Sequence, residues 1–176
     1  MSFVSMIPET QAGPELKPLY EEVRAGWDFL PNFWQAQGRR PDLLRIQKDL
    51  YTHVFTMGAL PQAVKEQIGL VVAGINTSSY CIAMHMEILR RLGIEKPLAR
   101  KLVTDWEHAP VEPKVMELFR FAAKLTRHPG DISGKDIEVL REAGWDDEAI
   151  YETVLTASAM GLFNRVSLGL GLVADL

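Results

Sequence analysis

The sequence holds a single cysteine, Cys81, in the run Asn76-Thr77-Ser78-Ser79-Tyr80-Cys81-Ile82-Ala83-Met84-His85. Asn76, Thr77, Ser78 and Ser79 are all N-cap residue types, which places the thiol in the first turn of a helix. Unpaired backbone N–H groups and the positive end of the helix dipole favour an anion there, so the thiolate is favoured over the thiol. His85 follows at i+4, one turn along the same face, within reach of the sulfur as a base or a charge partner. Glu66 lies on the preceding helical run. Two helices joined by a short connection pack antiparallel, so this carboxylate comes up beside the thiol end of the next helix to orient His85 or relay its proton. Bland readings stand beside this one. A lone cysteine is commonly core packing, and Glu66 next to Lys65 reads equally well as a solvated charge. The three side chains are also zinc-ligand types, but no fourth ligand stands at a telling spacing and no metal is expected.

The elements that must hold these groups all read as helices. Pro or an N-cap residue opens each apolar-periodic run, and Gly or Asn closes it. A first helix is predicted from Pro18 to Gly26. Residues Asp28 to Arg40, with Phe29, Phe33 and Trp34, read as a loop with a short helix. The aromatic residues of that loop, with Met57 and Leu60, suit a substrate entrance, a lid over the core or an oligomer contact, and the contact is favoured. A helix from Pro41 to about Gly58 places Leu43, Ile46, Leu50, Val54 and Met57 on one face. The next, Pro61 to about Asn76, is apolar all round in its second half and so belongs at the centre of the domain. Gly69 and Gly74 within it mark close helix approaches. Further helices are predicted at Ser79 to Leu92, Pro97 to Trp106 and Pro113 to Arg127, then at Ser133 to Ala143 with a Ser133/Asp136 capping box. The last starts at Asp146 and runs close to the end of the chain. No sustained alternation calls for a strand, so the fold class is all-α and the 176 residues form a single domain.

Composition excludes several function classes. Hydrophobic residues are 47% and charged residues 24%, ordinary for a folded domain, and the net charge of −4 is the opposite of a nucleic-acid footprint. One cysteine cannot form an internal disulfide, which favours a reducing compartment. The first fifteen residues carry neither a positive n-region nor an unbroken apolar stretch, so a cytoplasmic location is expected. Asn164, Arg165 and Asp175 interrupt the apolar tail, which reads as a buried or interface helix and not as a membrane span. His53, His108 and His128 lack a partner at a telling spacing and read as helix-end or surface residues.

Glu66, Ser78, Cys81 and His85 stand at successive offsets of 12, 3 and 4. In this the chain resembles the alkylhydroperoxidase D-like family of the carboxymuconolactone decarboxylase-like superfamily, whose motif is Glu, then Cys-x-x-Cys, then His at those offsets. Asn76, Tyr80 and the ending Phe163 to Gly171 are similar too, and the likeness is to the peroxidase-related branch. The resemblance implies an oligomeric all-α helical bundle, without an organic cofactor, that reduces a small peroxide. Cys81 would be the nucleophile, His85 would accept its proton or hold the thiolate, and Glu66 would position His85. Ser78, Tyr80 and Asn76 would line the pocket. The chain departs from the motif at one place: Ser78 stands where the family has its first cysteine, and a hydroxyl cannot form a disulfide with Cys81. A one-cysteine cycle with an external thiol reductant is therefore expected. Two other functions remain open, a decarboxylase-like lyase reaction on a small acid and a non-catalytic helical assembly or binding protein with a relic site.

Overall fold

The computed structural model describes residues 2–175, which form nine α-helices, three short 3-10 turns and no strand. The helices before the site are α1 (Leu16–Ala25), α2 (Asn32–Gln37) and α3 (Pro41–Thr56). Those that carry it are α4 (Gln62–Ile75) and α5 (Ser79–Arg91). They are followed by α6 (Lys96–Thr104), α7 (Pro113–Arg127), α8 (Gly134–Glu142) and α9 (Asp147–Gly169). None of the described helices is long and apolar enough to cross a membrane.

Local chemistry sets most of these limits. Proline stands at the first or second residue of α3, α6 and α7, where its missing N–H has no intrahelical partner to lose. The Ser133/Asp136 capping box opens α8, and Asp146 caps α9 by accepting the Ala149 N–H at 2.8 Å. After α5, Gly93 adopts a φ of +82°, a left-handed conformation, and lets Ile94 bond back to the Leu89 carbonyl. Helix α1 begins two residues before the predicted Pro18. That proline is its third residue, still inside the turn whose N–H groups have no intrahelical acceptor.

Helix α4 is the axis of the molecule and touches α3, α5, α6, α7 and α9. Ile68, Leu70, Val71, Val72 and Ala73 are all fully buried, as expected for a helix that is apolar all round. Both glycines sit at close approaches. A β-carbon at Gly74 would come 3.0 Å from the Val103 carbonyl on α6, and one at Gly69 would come 3.1 Å from the Phe55 ring and 3.4 Å from His85. Gly69 thus lets α3 and α5 close on the helix that carries Glu66.

The buried side of α3 matches the predicted one only in part. Val54 is buried and Leu50 packs against the core as expected, joined by Leu44 and Phe55, whereas Leu43, Ile46 and Met57 are 43%, 62% and 54% exposed. Spacing alone identifies a stripe, not which stripe is covered. Tyr51 and Phe55 stack at 5.0 Å and bring more apolar area to the core side. Met57 and Tyr151 of α9 instead border a surface groove.

Candidate active site

The connection between α4 and α5 delivers the thiol. Thr77 takes a left-handed φ of +55°, and the Ser78 N–H closes α4 by donating to the Ala73 carbonyl at 3.0 Å. A β-branched residue in that conformation costs on the order of 1–2 kcal/mol, strain of the kind that collects at functional sites. The reversal starts α5 at Ser79 and puts Cys81 in its first turn, 4% exposed.

Behind the thiol stands a buried acid–imidazole pair. Glu66 is 0% exposed, and its Oε2 lies 2.5 Å from His85 Nδ1. Its other oxygen accepts the Tyr51 hydroxyl at 3.1 Å. Burial, and then the Glu66 charge, push the Tyr51 phenol well above its ordinary value, so it stays a donor. The solvated-charge reading of Glu66 is overturned by this geometry. Lys65 does not face it, because adjacent residues on a helix point apart; Lys65 bonds Glu152 at 2.8 Å instead. A carboxylate on Nδ1 fixes that nitrogen as the protonated one and leaves Nε2 as the nitrogen able to accept a proton.

Cys81 and His85 line one pocket with Tyr80, Met84 and Ile88 of α5, Phe33 and Trp34 of α2, and Trp27, Pro31, Tyr51 and Phe163. Its free space is about 60 Å³. At roughly 10–15 Å³ for each water this holds a small head group. The walls are aromatic, with Phe33 at 5.0 Å from Trp34, 6.1 Å from Tyr80 and 5.8 Å from Phe163. Phe33 and Trp34 are therefore part of this chain's own core, where the sequence favoured an oligomer contact; Phe29 is half-buried beside Trp27 and Met57 faces solvent.

The remaining candidates fall in two places. Tyr80 is at the wall. Its hydroxyl accepts the Phe33 N–H at 3.1 Å and donates to Asp175 at 2.8 Å. Ser78 and Asn76, expected at the pocket, sit behind it. Ser78 is fully buried with its hydroxyl 2.9 Å from Ser167 Oγ, and Asn76 donates to the Asn164 side chain at 2.9 Å. The side-chain hydrogen-bond partner of the thiol is Ser167 Oγ, 3.4 Å from Cys81 Sγ, and not the imidazole. Ser167 escaped the sequence reading; its signal is a polar pair, Asn164 and Ser167, three apart in the mostly apolar second half of α9. His53, His108 and His128 are exposed and stand at helix ends. Among the described residues no group of three or more His, Cys, Asp and Glu side chains is gathered as a metal site.

Asp175 was also missed, and it ties the pocket's outer wall. Besides Tyr80 it accepts the Asn32 backbone N–H, at 3.0 Å and 3.1 Å to its two oxygens, where α2 begins. Burial pushes its carboxyl up, and the bonds from Tyr80 and Asn32 offset this only in part. A helix of six residues has little stability of its own. Asp175→Ala should therefore loosen α2 and raise the reaction rate of Cys81 with a bulky disulfide reagent at least about tenfold relative to iodoacetamide, since the Tyr80 hydroxyl and the Asn32 N–H both lose their charged acceptor. An unchanged ratio of the two rates would show that α2 stays shut without Asp175.

Comparison with known proteins gives this geometry a context. Residues 41–124 match the carboxymuconolactone decarboxylase family. No curated relative matches the chain. Among solved structures, a peroxidase-related protein from Silicibacter sp. is 25% identical with a TM-score of 0.89, over 96% of this chain and 90% of that one. An alkylhydroperoxidase AhpD core protein, peroxidase-related, from Ralstonia eutropha is 23% identical with a TM-score of 0.92, over 99% and 92%. The debrominase Bmp8, solved in complex with a tribromopyrrole, is 18% identical with a TM-score of 0.84, over 99% and 92%.

Proposed function

Because the chain is an alkylhydroperoxidase D-like member of the carboxymuconolactone decarboxylase-like superfamily, we propose that it is a peroxidase-related oxidoreductase that reduces small peroxides through Cys81 alone. One observation carries this reading: the only thiol lines a small pocket with an imidazole whose Nδ1 is held by a buried carboxylate. His85 takes the thiol proton at Nε2 and Glu66 stabilises the resulting charge. The thiolate attacks the outer peroxide oxygen, the O–O bond breaks, and the alkoxide leaves with the proton from His85. Cys81 is then a sulfenic acid, and the peroxide has become an alcohol. Ser78 offers no sulfur, so an external thiol condenses with the sulfenic acid, releasing water. A second thiol frees Cys81 as the reductant leaves as its disulfide.

The lyase reading is disfavoured by the pocket itself, whose lining carries no lysine or arginine to meet the carboxylate of a small acid. Aromatic walls around a thiol favour, as a second reading, reductive removal of halogen from a small aromatic ring, which product analysis separates from peroxide reduction. Assembly into a homo-oligomer is also proposed, since Met57 and Tyr151 at their shared groove, with Leu162 and Leu168 of α9, leave apolar surface uncovered. The test is trapping. One equivalent of an organic hydroperoxide with dimedone should add a single dimedone mass at Cys81, and catalytic peroxide loss should require added thiol. Absence of the adduct, with the thiol unchanged, would overturn the proposal.

A further inference from the structure

Resting on that reading of Cys81, we propose that Ser167 is the hydrogen-bond donor that holds the thiolate, with Ser78 behind it completing a two-hydroxyl relay at the place where the family carries a second sulfur. Ser78 is the N-cap residue of α5, yet its side chain makes no capping bond. A serine there normally accepts from a first-turn amide of its own helix. Here the hydroxyl turns inward, across to α9, and meets Ser167 Oγ at 2.9 Å, with both residues buried. Ser167 Oγ in turn lies 2.9 Å from the Asn164 carbonyl and 3.4 Å from Cys81 Sγ. Sulfur bonds are long, and this distance is an ordinary one for them.

Counting protons gives the arrangement its meaning. Ser167 owns one proton and has three neighbours. Beside a protonated thiol, Ser167 gives that proton to the Asn164 carbonyl and its oxygen accepts from both Ser78 and the S–H. Once the S–H proton has gone to His85, the sulfur is an acceptor only. Ser167 then turns its proton from the Asn164 carbonyl, which keeps its place in the α9 ladder, onto Sγ. Ser78 continues to donate into the Ser167 oxygen and strengthens the bond in front of it. The relay itself gains and loses no proton. A switch of hydroxyl direction follows the charge of the sulfur, and the donors stay fixed in a dry site where they lose little to water. Serine at position 78 thus acts through Ser167 as a positioning residue.

Other ionisable groups around the pocket are His85 and Tyr80 on α5, Glu66 behind His85 on α4, Tyr51 on α3 and Asp175 beside Tyr80. None of them is altered by changing Ser167. The experiment measures iodoacetamide alkylation of the full chain against pH, read by mass at the one cysteine, for the wild type, Ser167→Ala and Ser78→Ala. Ser167 lies in the last turn of α9 and Ser78 makes no capping bond, so alanine at either place removes the hydroxyl and keeps the backbone. In Ser167→Ala the midpoint should rise by about one pH unit, and alkylation at pH values well below the native midpoint should fall about tenfold, as expected for losing one bond to a charged group. Ser78→Ala should shift the midpoint the same way by less. An unmoved midpoint in Ser167→Ala overturns the relay, including the case where only its melting temperature changes, which would make Ser167 a structural tie between α5 and α9. The two proposals fail separately. Peroxide turnover by the wild type with an unmoved Ser167→Ala profile removes the relay alone, and a shifted profile without any peroxide turnover removes the peroxidase reading alone.

Discussion

Thiol-dependent peroxide turnover is expected to drop to the uncatalysed rate in Cys81→Ser and about a hundredfold in Glu66→Gln, the usual scale for disabling a general base. The first loss is total because a serine oxygen has no oxidation state to offer, although it fits the space of the sulfur. The second is an argument about tautomers. In the native site the Glu66 carboxylate only accepts, taking the Tyr51 hydroxyl on one oxygen and His85 Nδ1 on the other. Glutamine has a single acceptor oxygen, and Tyr51, held protonated by burial, competes for it. With the amide oxygen on Tyr51, the NH2 faces Nδ1, which must then be the bare nitrogen, and the proton moves to Nε2. An imidazole protonated at Nε2 cannot take a proton from the thiol. Steady-state rates with one hydroperoxide and one thiol, across pH, check both variants. Wild-type turnover in Cys81→Ser would remove the cysteine from the reaction, and in Glu66→Gln it would reduce the buried pair to a packing feature.

What could be read from the sequence was whatever is written locally. The bounds of α7, the capping box of α8 and the start of α5 rest on residues within four positions of each other, and Pro113, Ser133 and the Asn76 to Ser79 run state them directly. Glu66 and His85 were legible because a short connection fixes how two helices meet, so a fixed offset in sequence becomes a contact in space. Ser167, Tyr51 and Asp175 were not, for the opposite reason. Ser167 reaches Cys81 from 86 residues away and Asp175 reaches Tyr80 from 95. No local pattern announces either. Tyr51 was masked differently. Reading α3 by its aliphatic spacing selected the stripe of Leu43 and Ile46 and assigned it to the core. The aromatic face that carries Tyr51 to Glu66 lies beside that stripe, and only the neighbours of α3 decide between the two. The aromatic residues after α1 misled in the same way. Phe33 and Trp34 looked like a contact for another chain because the residue that ties α2 down is Asp175, close to the far end of the sequence.

Removal of Glu152 should be the most damaging single change to stability, costing about 3–5 kcal/mol in Glu152→Ala. Lys65 is 1% exposed at the start of α4, beside Glu66, and its ammonium reaches the Met57 carbonyl and, at 2.8 Å, the Glu152 carboxylate from α9. The same carboxylate accepts the Ala59 and Leu60 N–H groups at 2.7 Å and 2.8 Å, and so fixes the turn that launches α4. Gly58 in that turn has a φ of +105°, and a side chain there would collide with the carboxylate. Truncating Glu152 leaves one ammonium and two amides without their acceptor at once. Lys65→Met should cost less, because the buried ammonium goes together with its own need for an acceptor, and the Glu152 carboxylate, 13% exposed, keeps its two amide donors. The pH dependence has a definite sign. Burial alone would raise the Glu152 carboxyl, but Lys65 and the two amides outweigh it and hold the group below its ordinary 4.5. A carboxyl depressed by folding stabilises the protein fully above that ordinary value, and the contribution is lost as the pH falls through the lower folded value. Urea unfolding of the wild type should therefore weaken on acidification through that window, while Glu152→Gln, already weaker at pH 7, should show a flatter profile there. Equal slopes in the two proteins would assign the acid sensitivity to other carboxylates. Equal stability at pH 7 would mean that Lys65 finds a second acceptor when α9 withdraws its own, and the start of α4, with Glu66 on it, would then be held by something other than this ion pair.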